Sequence, residues 1–222
     1  MTLRNKYIIY NYSLIPLEIS WIFQKSLVNQ YLQCILNKET FLLLKHPIIF
    51  TLGHNANKSF LAPNFKWQNS SLHKIERGGE ITCHSPGQIV VYMIINLVSY
   101  KKDLHWYVSI LEGLIIHLLK NYNILASRIK GLTGVWVGEY KIASIGIKIS
   151  KWLSMYGFSI NFCLNLKYFQ NIIPCGLLNK KICNVSHVLS LTSEAQFKGE
   201  LKKILKEGLR HMKMDLGKNY FA

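Results

Sequence analysis

Acidic residues are scarce in this chain: 11 Asp and Glu stand against 27 Lys and Arg among 222 residues, a formal net charge of +16 at pH 7. Cysteine is also thin. The five cysteines (Cys34, Cys83, Cys163, Cys175, Cys183) are odd in number, scattered and without a CxxC pair, which excludes a secreted disulfide framework and favours a reducing compartment. No HExxH or other metal-ligand spacing occurs among the eight histidines, so a zinc site has no motif behind it. His46, His54, His73, His105, His117, His187 and His211 are read as surface or packing residues. The longest apolar stretch, Ile89 to Val98, is about half of what a bilayer span requires and suits a buried strand. Met1 to Asn11 mixes Arg4, Asn5 and Lys6 with short apolar pairs, which is no signal peptide. A cytoplasmic protein with no membrane span is expected. Internal repeats, linkers and low-complexity segments are absent too.

What is present is a chain half apolar, long enough for one domain that buries a core without disulfide or metal staples. The positive charge admits three readings: a nucleic-acid partner, an acidic protein partner, or the Lys, Ile and Asn bias of an AT-rich genome. A nucleic-acid binder would need zinc-finger spacing, an RNP-like aromatic strand or a concentrated basic arm, and the sequence offers none. An acidic protein surface would gain in encounter rate more than in final affinity.

Periodicity predicts mixed α and β structure. Tyr7 to Tyr12 reads as a strand, and Pro16 opens a helix through Trp21, Phe23, Leu27, Val28, Tyr31 and Leu32. Two short strands, Thr40–Lys45 and Ile48–Leu52, are broken at His46-Pro47 and end at Gly53. His54 to Ser71, polar and carrying Pro63, reads as a mobile loop governing substrate access. Arg77-Gly78-Gly79 leads through Gln88 into an apolar strand, Ile89 to Leu97. Asp103 to Tyr122 is an amphipathic helix with Val108, Leu111, Leu114, Ile115, Leu118 and Leu119 on one stripe. Gly134–Val137 and Tyr140–Ile149 flank a Gly138-Glu139 hairpin turn, and Trp152 to Asn165 completes a meander. Ser193-Glu194-Ala195-Gln196 is a capping-box start for a last helix with Phe197, Leu201, Ile204, Leu205 and Leu209 on one face.

The chemistry concentrates on Cys175, in Ile173-Pro174-Cys175-Gly176, and on Lys141, in Tyr140-Lys141-Ile142-Ala143-Ser144-Ile145-Gly146. A free thiol has a pKa of about 8.5, so little thiolate exists at neutral pH unless a nearby cation favours it. A lysine ammonium in contact supplies that cation, and the pair points to covalent acyl transfer. Proline and glycine around the thiol fix the turn and let backbone approach a bound carbonyl. A Pro-Cys-Gly taken alone is more often a buried structural cysteine beside a turn. Arg77 has the alternative of holding a backbone carbonyl or a surface carboxylate, and His84 that of a hydrogen-bonded structural histidine.

Four blocks in order decide between these readings: Leu44-Lys45-His46-Pro47 with Phe50-Thr51-Leu52-Gly53; Arg77 to Gln88; Gly134-Val135-Trp136-Val137 through Lys141 to Gly146; and Gly157-Phe158-Ser159-Ile160-Asn161 with Ile173-Pro174-Cys175-Gly176. Together they cover most of residues 38–213, and the chain resembles the octanoyltransferase family, the lipoyl(octanoyl) transferases that move octanoyl from acyl carrier protein to lipoyl domains. The resemblance implies an α/β (α+β) fold: a mixed β-sheet with packed helices, like the catalytic domain of biotin and lipoate protein ligases. That domain would span 38–213, with a strand and helix from 1–37 packed on it. In the family the cysteine of Pro-Cys-Gly carries the acyl thioester and the lysine before Ile-Ala-Ser-Ile-Gly lowers its pKa, roles that fall on Cys175 and Lys141. Its substrate-binding segments map to Arg77, Gly78, Gly79, Glu80, Ile81, Thr82, Cys83 and His84, to Ser144, Ile145 and Gly146, and to Gly157, Phe158 and Ser159.

The resemblance implies a monomer without cofactor or metal. Its partners would be octanoyl-acyl carrier protein and the lipoyl domains of 2-oxoacid dehydrogenase E2 subunits and glycine cleavage H protein, with no nucleic acid and no membrane. Three positions depart from the family pattern. Cys83-His84-Ser85-Pro86-Gly87 stands where Tyr-His-Gly-Pro-Gly is usual, and Tyr156 stands where a histidine commonly precedes Gly-Phe; a phenol cannot act as an imidazole does near neutral pH. Oxyanion donors are expected near the Gly176 backbone N–H. The rival enzyme is an ATP-dependent lipoate or biotin ligase, which makes an adenylate and has no use for a thiol nucleophile.

Overall fold

A computed structural model describes residues 7–61, 71–173, 181–189 and 192–214. The chain opens with β1 (Tyr7–Leu14) and α1 (Leu17–Leu32), the latter starting directly after Pro16, whose fixed φ suits a helix entrance. There follow β2 (Glu39–Lys45), β3 (Ile49–Leu52), β4 (Ser71–Lys74), β5 (Ile81–His84) and β6 (Gln88–Ile94). Next come α2 (Leu104–Lys120), β7 (Ser127–Ile129), β8 (Leu132–Val137), β9 (Tyr140–Ser150) and β10 (Leu153–Asn161). The last described elements are β11 (Lys181–Ile182) and α3 (Glu194–Met214).

The described strands form a mixed eight-stranded sheet in the order β1-β2-β6-β10-β9-β8-β7, with β11 beside β9, and a three-stranded sheet β4-β3-β5. β1 runs parallel to β2 and β11 parallel to β9, while the β2, β6, β10, β9 and β8 pairings are antiparallel. The expected meander is β8-β9-β10. The strands on either side of His46-Pro47 separate into different sheets: with no N–H on Pro47 the ladder cannot continue through the break, and β3 turns to pair β4 and β5. β6 stops at Ile94, short of the predicted Leu97, because the Asn96 side chain accepts the Val98 N–H and turns 97–99 into a 3₁₀ helix.

The large sheet is covered on both faces. On one side α2 and α3 pack on Phe41, Leu43, Val91, Ile142, Phe158 and Ile160. The Asp103 carboxylate caps α2 by accepting the Trp106 N–H, and Ser193 Oγ and Gln196 Oε1 cap α3 reciprocally. Along the predicted α2 stripe Leu111, Leu114, Ile115, Leu118 and Leu119 are buried, at roughly 1.5–3 kcal/mol per aliphatic side chain; Val108 lies at its margin. Gly208 lets α3 approach closely, since a Cβ there would stand 2.5 Å from Leu114 Cδ2. On the opposite face Leu17 and Leu27 of α1 meet Leu42, Leu44, Val90, Tyr92 and Tyr156. The small sheet has its own core of Phe50, Leu52, Ile81, Cys83, Leu164, Phe169 and Ile172.

Candidate active site

Where the small sheet leans on the large one it leaves a cavity of about 230 Å³. Its floor comes from β9 (Lys141, Ser144, Ile145, Gly146) and β10 (Tyr156, Gly157, Phe158, Ser159). Its roof comes from Arg77, Gly79 and Glu80 and, on β5, from Thr82 and His84. Exposed Gly131 and Thr133 stand at its edge. Alternation along β5 explains why its other two residues are elsewhere: Ile81 and Cys83 point into the small-sheet core, and burial pushes the Cys83 thiol up to about 12. Cys83 therefore offers no thiolate to the cavity.

Arg77 is a buttress. It is buried, and its guanidinium donates to the carbonyls of Gly78, Thr51 and Glu80 and to Thr51 Oγ1 at 2.8–2.9 Å. Holding carbonyls is one of the two fates the sequence allows for it. The Gly78 N–H donates to Ile147 O at 2.9 Å and ties the segment to β9. Glycine is needed opposite it, because a Cβ on Gly146 would sit 2.8 Å from Arg77 Cδ.

Lys141 is 4% exposed although a lysine is among the residues least often buried. Its Nζ lies 5.4 Å from the centre of the Trp136 ring, within cation–π range. Gly134, at φ +127°, makes room for it: a Cβ there would stand 2.5 Å from Lys141 Cε and 3.2 Å from Nζ. Glu112 of α2 holds that spot by accepting the Gly134 N–H at 2.9 Å, and Arg128 completes the pair at 3.2 Å.

Cys175, with Pro174 and Gly176, lies outside the described residues. The two flanks of its segment are held in different places, the first with the small-sheet core and the second on β9 of the large sheet. Ile172 bridges Leu61, and the Ile173 N–H donates to Phe60 O at 2.7 Å. After the segment, Ile182 pairs with Lys141 itself in β11, and the Cys183 N–H donates to Lys141 O at 3.1 Å. Of the expected access loop, His54 to Ser71, the structure describes residues 54–61, which include a 3₁₀ turn at Lys58–Phe60, and Ser71, which is already the first residue of β4.

A buried polar chain crosses the cavity wall. His84 Nδ1 is 2.7 Å from Gln88 Oε1, Gln88 Nε2 is 2.9 Å from Asn161 Oδ1, and Asn161 Nδ2 is 3.5 Å from Lys141 O. Burial, aided by His46 and Arg77, pushes His84 down to about 3. His46, 5.5 Å away ring to ring, bonds Tyr92 OH and Ile15 O, and burial lowers its pKa as well. Both imidazoles are neutral at pH 7. Tyr156 occupies a left-handed conformation, φ +60°, which costs a bulky residue. Its register partner Ile147 packs on the helical side, whereas Tyr156 is turned to the α1 side, and Gln24 of α1 accepts its N–H at 2.8 Å. The sequence reading assigned no role to Gln88, Asn161, Glu112 or Tyr92. Gln88 and Asn161 do close two of the segments that carry the resemblance, while Glu112 and Tyr92 show only as polar groups embedded in apolar helix and strand patterns.

Residues 17–206 match the lipoyl protein ligase A/B catalytic domain. An octanoyltransferase of Nostoc punctiforme is 41% identical over 178 residues, covering 80% of this chain and 77% of that one. This chain belongs to the octanoyltransferase family. A chloroplastic octanoyltransferase of Arabidopsis thaliana is 39% identical over 182 residues, covering 79% of this chain and 65% of that one. A solved lipoate-protein ligase A bound with ATP shares the fold at 12% identity, with a TM-score of 0.74 over 94% of this chain and 86% of that one. The α/β ligase-like architecture expected from the resemblance is the one observed. No helix among the described residues is long and apolar enough to cross a membrane.

Proposed function

We propose that this octanoyltransferase carries its acyl group on Cys175 and manages the protons of both half-reactions with Lys141. In the first, the Cys175 thiolate, favoured by the Lys141 ammonium, attacks the carbonyl carbon of octanoyl-acyl carrier protein. The carrier's C–S bond breaks, and its leaving thiolate takes a proton from Lys141. In the second, the amine of a lipoyl-domain lysine attacks the thioester, neutral Lys141 takes the excess proton, and the Cys175 thiolate leaves. Atoms and charge return to their starting state. The observation that carries this reading is a buried lysine in the cavity wall whose strand neighbour, Ile182, belongs to the first described stretch after the Cys175 segment.

Acceptor lysines on the lipoyl domains of 2-oxoacid dehydrogenase E2 subunits and glycine cleavage H protein fit this chemistry, as does a monomer working in the cytoplasm. The enzyme is incubated with octanoyl-acyl carrier protein and its intact mass measured. A hydroxylamine-labile octanoyl adduct is expected on the wild type and not on Cys175→Ser; an adduct on that variant, or nucleotide-dependent acylation by Cys175→Ala, would sink the proposal. Lys141→Ala is expected to slow acylation at least tenfold at neutral pH, with partial recovery in alkali as the thiol ionises unaided. Unchanged thiol reactivity in that variant would reject the role of Lys141.

A further inference from the structure

We infer that Gln88 and Asn161 are positioning residues that fix His84 as a hydrogen-bond acceptor for the attacking amine of the acceptor lysine, an inference that rests on the acyl-transfer reading above. A backbone carbonyl stands at one end of the buried polar chain. The Lys141 carbonyl can only accept, and at 3.5 Å, alongside the Cys183 N–H, it favours the orientation in which Asn161 turns its NH₂ toward it. That leaves Asn161 Oδ1 facing Gln88, which must present its own NH₂ there. Gln88 Oε1 then faces His84 Nδ1 at 2.7 Å, and since an amide oxygen only accepts, Nδ1 carries the proton and donates it. The carbonyl thus favours one pair of amide orientations and one tautomer, the one that leaves His84 Nε2 with a lone pair.

The relay exists because of strand register. Gln88 opens β6 and Asn161 closes β10, directly opposite one another in the antiparallel pair, so their side chains meet although far apart in sequence. All three side chains are buried. His84 Nε2 makes no hydrogen bond among the described residues, and His84 lines the same cavity as Lys141.

A lone pair at Nε2 cannot donate to a tetrahedral oxyanion, which removes one otherwise reasonable role. What it suits is an N–H. A primary amine attacking a thioester aims its lone pair at the carbonyl carbon and has two N–H bonds to place in a site with little water. Lys141, once neutral, receives the proton that must leave; His84 Nε2 accepts from the other N–H and holds the amine's orientation. Since the imidazole stays neutral across the working pH range, it is available as acceptor in every turnover.

Two variants of Gln88 test this, with the half-reactions separated: acylation by octanoyl-acyl carrier protein, then transfer from the isolated octanoyl-enzyme to excess apo-lipoyl domain in a single turnover. Gln88→Leu removes the lock and is expected to slow transfer about tenfold more than it slows acylation. Gln88→Glu keeps an acceptor on Nδ1 but raises the imidazole pKa through its charge, so transfer acquires a further acid limb, below the one that protonation of the attacking amine and of Lys141 already gives the wild type. Equal slowing of both half-reactions in Gln88→Leu, or a transfer pH profile in Gln88→Glu that overlays the wild type, would overturn the inference while leaving the acyl-enzyme intact. Failure of the wild type to form the Cys175 thioester would instead remove the parent reading, and this one with it.

Discussion

Gly134 and Lys141 compete for the same few cubic ångströms, and glycine gives way by having no side chain. The φ of +127° at Gly134 is one an L side chain rarely adopts, and its added Cβ would press on both Lys141 Cε and, at 2.7 Å, on Ala143 O. Gly134→Ala is therefore expected to push the amine off its seat and slow acylation roughly tenfold to a hundredfold, with binding of the carrier protein much less affected; a rate within twofold of wild type in a stopped-flow acylation assay would contradict this. Lys141 stands in a motif visible in the sequence, as do Gly79, Gly146 and Gly157 of the cavity lining; Gly131 lines it unforeseen, and Gly78 does not line it. The contacts that hold these residues are not visible there. Gln88 meets Asn161 only through β6–β10 register, and Glu112 reaches Gly134 only because α2 crosses β8; nothing local in the sequence encodes either meeting. At Cys83 the motif and the strand diverge, since alternation sends the side chain away from the cavity.

Elements with strong periodicity were readable: α2, α3, the β8–β9 hairpin and β10 follow from their apolar patterns and caps. β4, β7 and β11 were not, being two to four residues long and held by partners rather than by their own composition. Sheet membership escaped as well, because β2 and β3 look alike in sequence and diverge only in space. One junction between elements carries a pH signature. Glu39, at the start of β2, accepts the Asn96 N–H after β6 at 3.1 Å and hydrogen-bonds Tyr100, with Tyr31, Tyr107 and Lys213 as its other ionisable neighbours. Burial raises it from 4.5 to about 7. A carboxyl that holds its proton more tightly in the folded chain contributes most below pH 4.5, and that contribution drains away as pH rises toward 7. Glu39→Gln keeps a neutral acceptor and escapes the loss. Its melting temperature is expected to gain on the wild type between pH 5 and pH 8, by the equivalent of roughly 2 kcal/mol, and a pH-independent difference in thermal melts would refute the assignment.

At the scale of the whole molecule the excess of 27 basic over 11 acidic side chains is a long-range field rather than a contact. Such a field speeds the encounter with negatively charged partner proteins and is screened over about 8 Å at physiological ionic strength. Raising salt from about 0.05 to about 0.3 M is expected to lower kcat/KM for an acidic carrier protein severalfold while kcat stays level. A profile flat in salt would assign the charge to compositional bias alone. Composition showed the sign of this field but not its shape, which depends on how three separate cores orient their surfaces.

β9 is hydrogen-bonded along both edges, by β10 and β8 and, at Tyr140 and Lys141, by β11. Native proteins open first at short, thinly held edges and last in the middle of sheets. Lys141 lies just beyond the β10 pairing, which ends at Ala143, so β8 holds it on one edge and only the two residues of β11 hold it on the other. On warming, β11 can part from the lysine while the sheet stands, so catalysis would be lost by a local and reversible opening well before the protein melts.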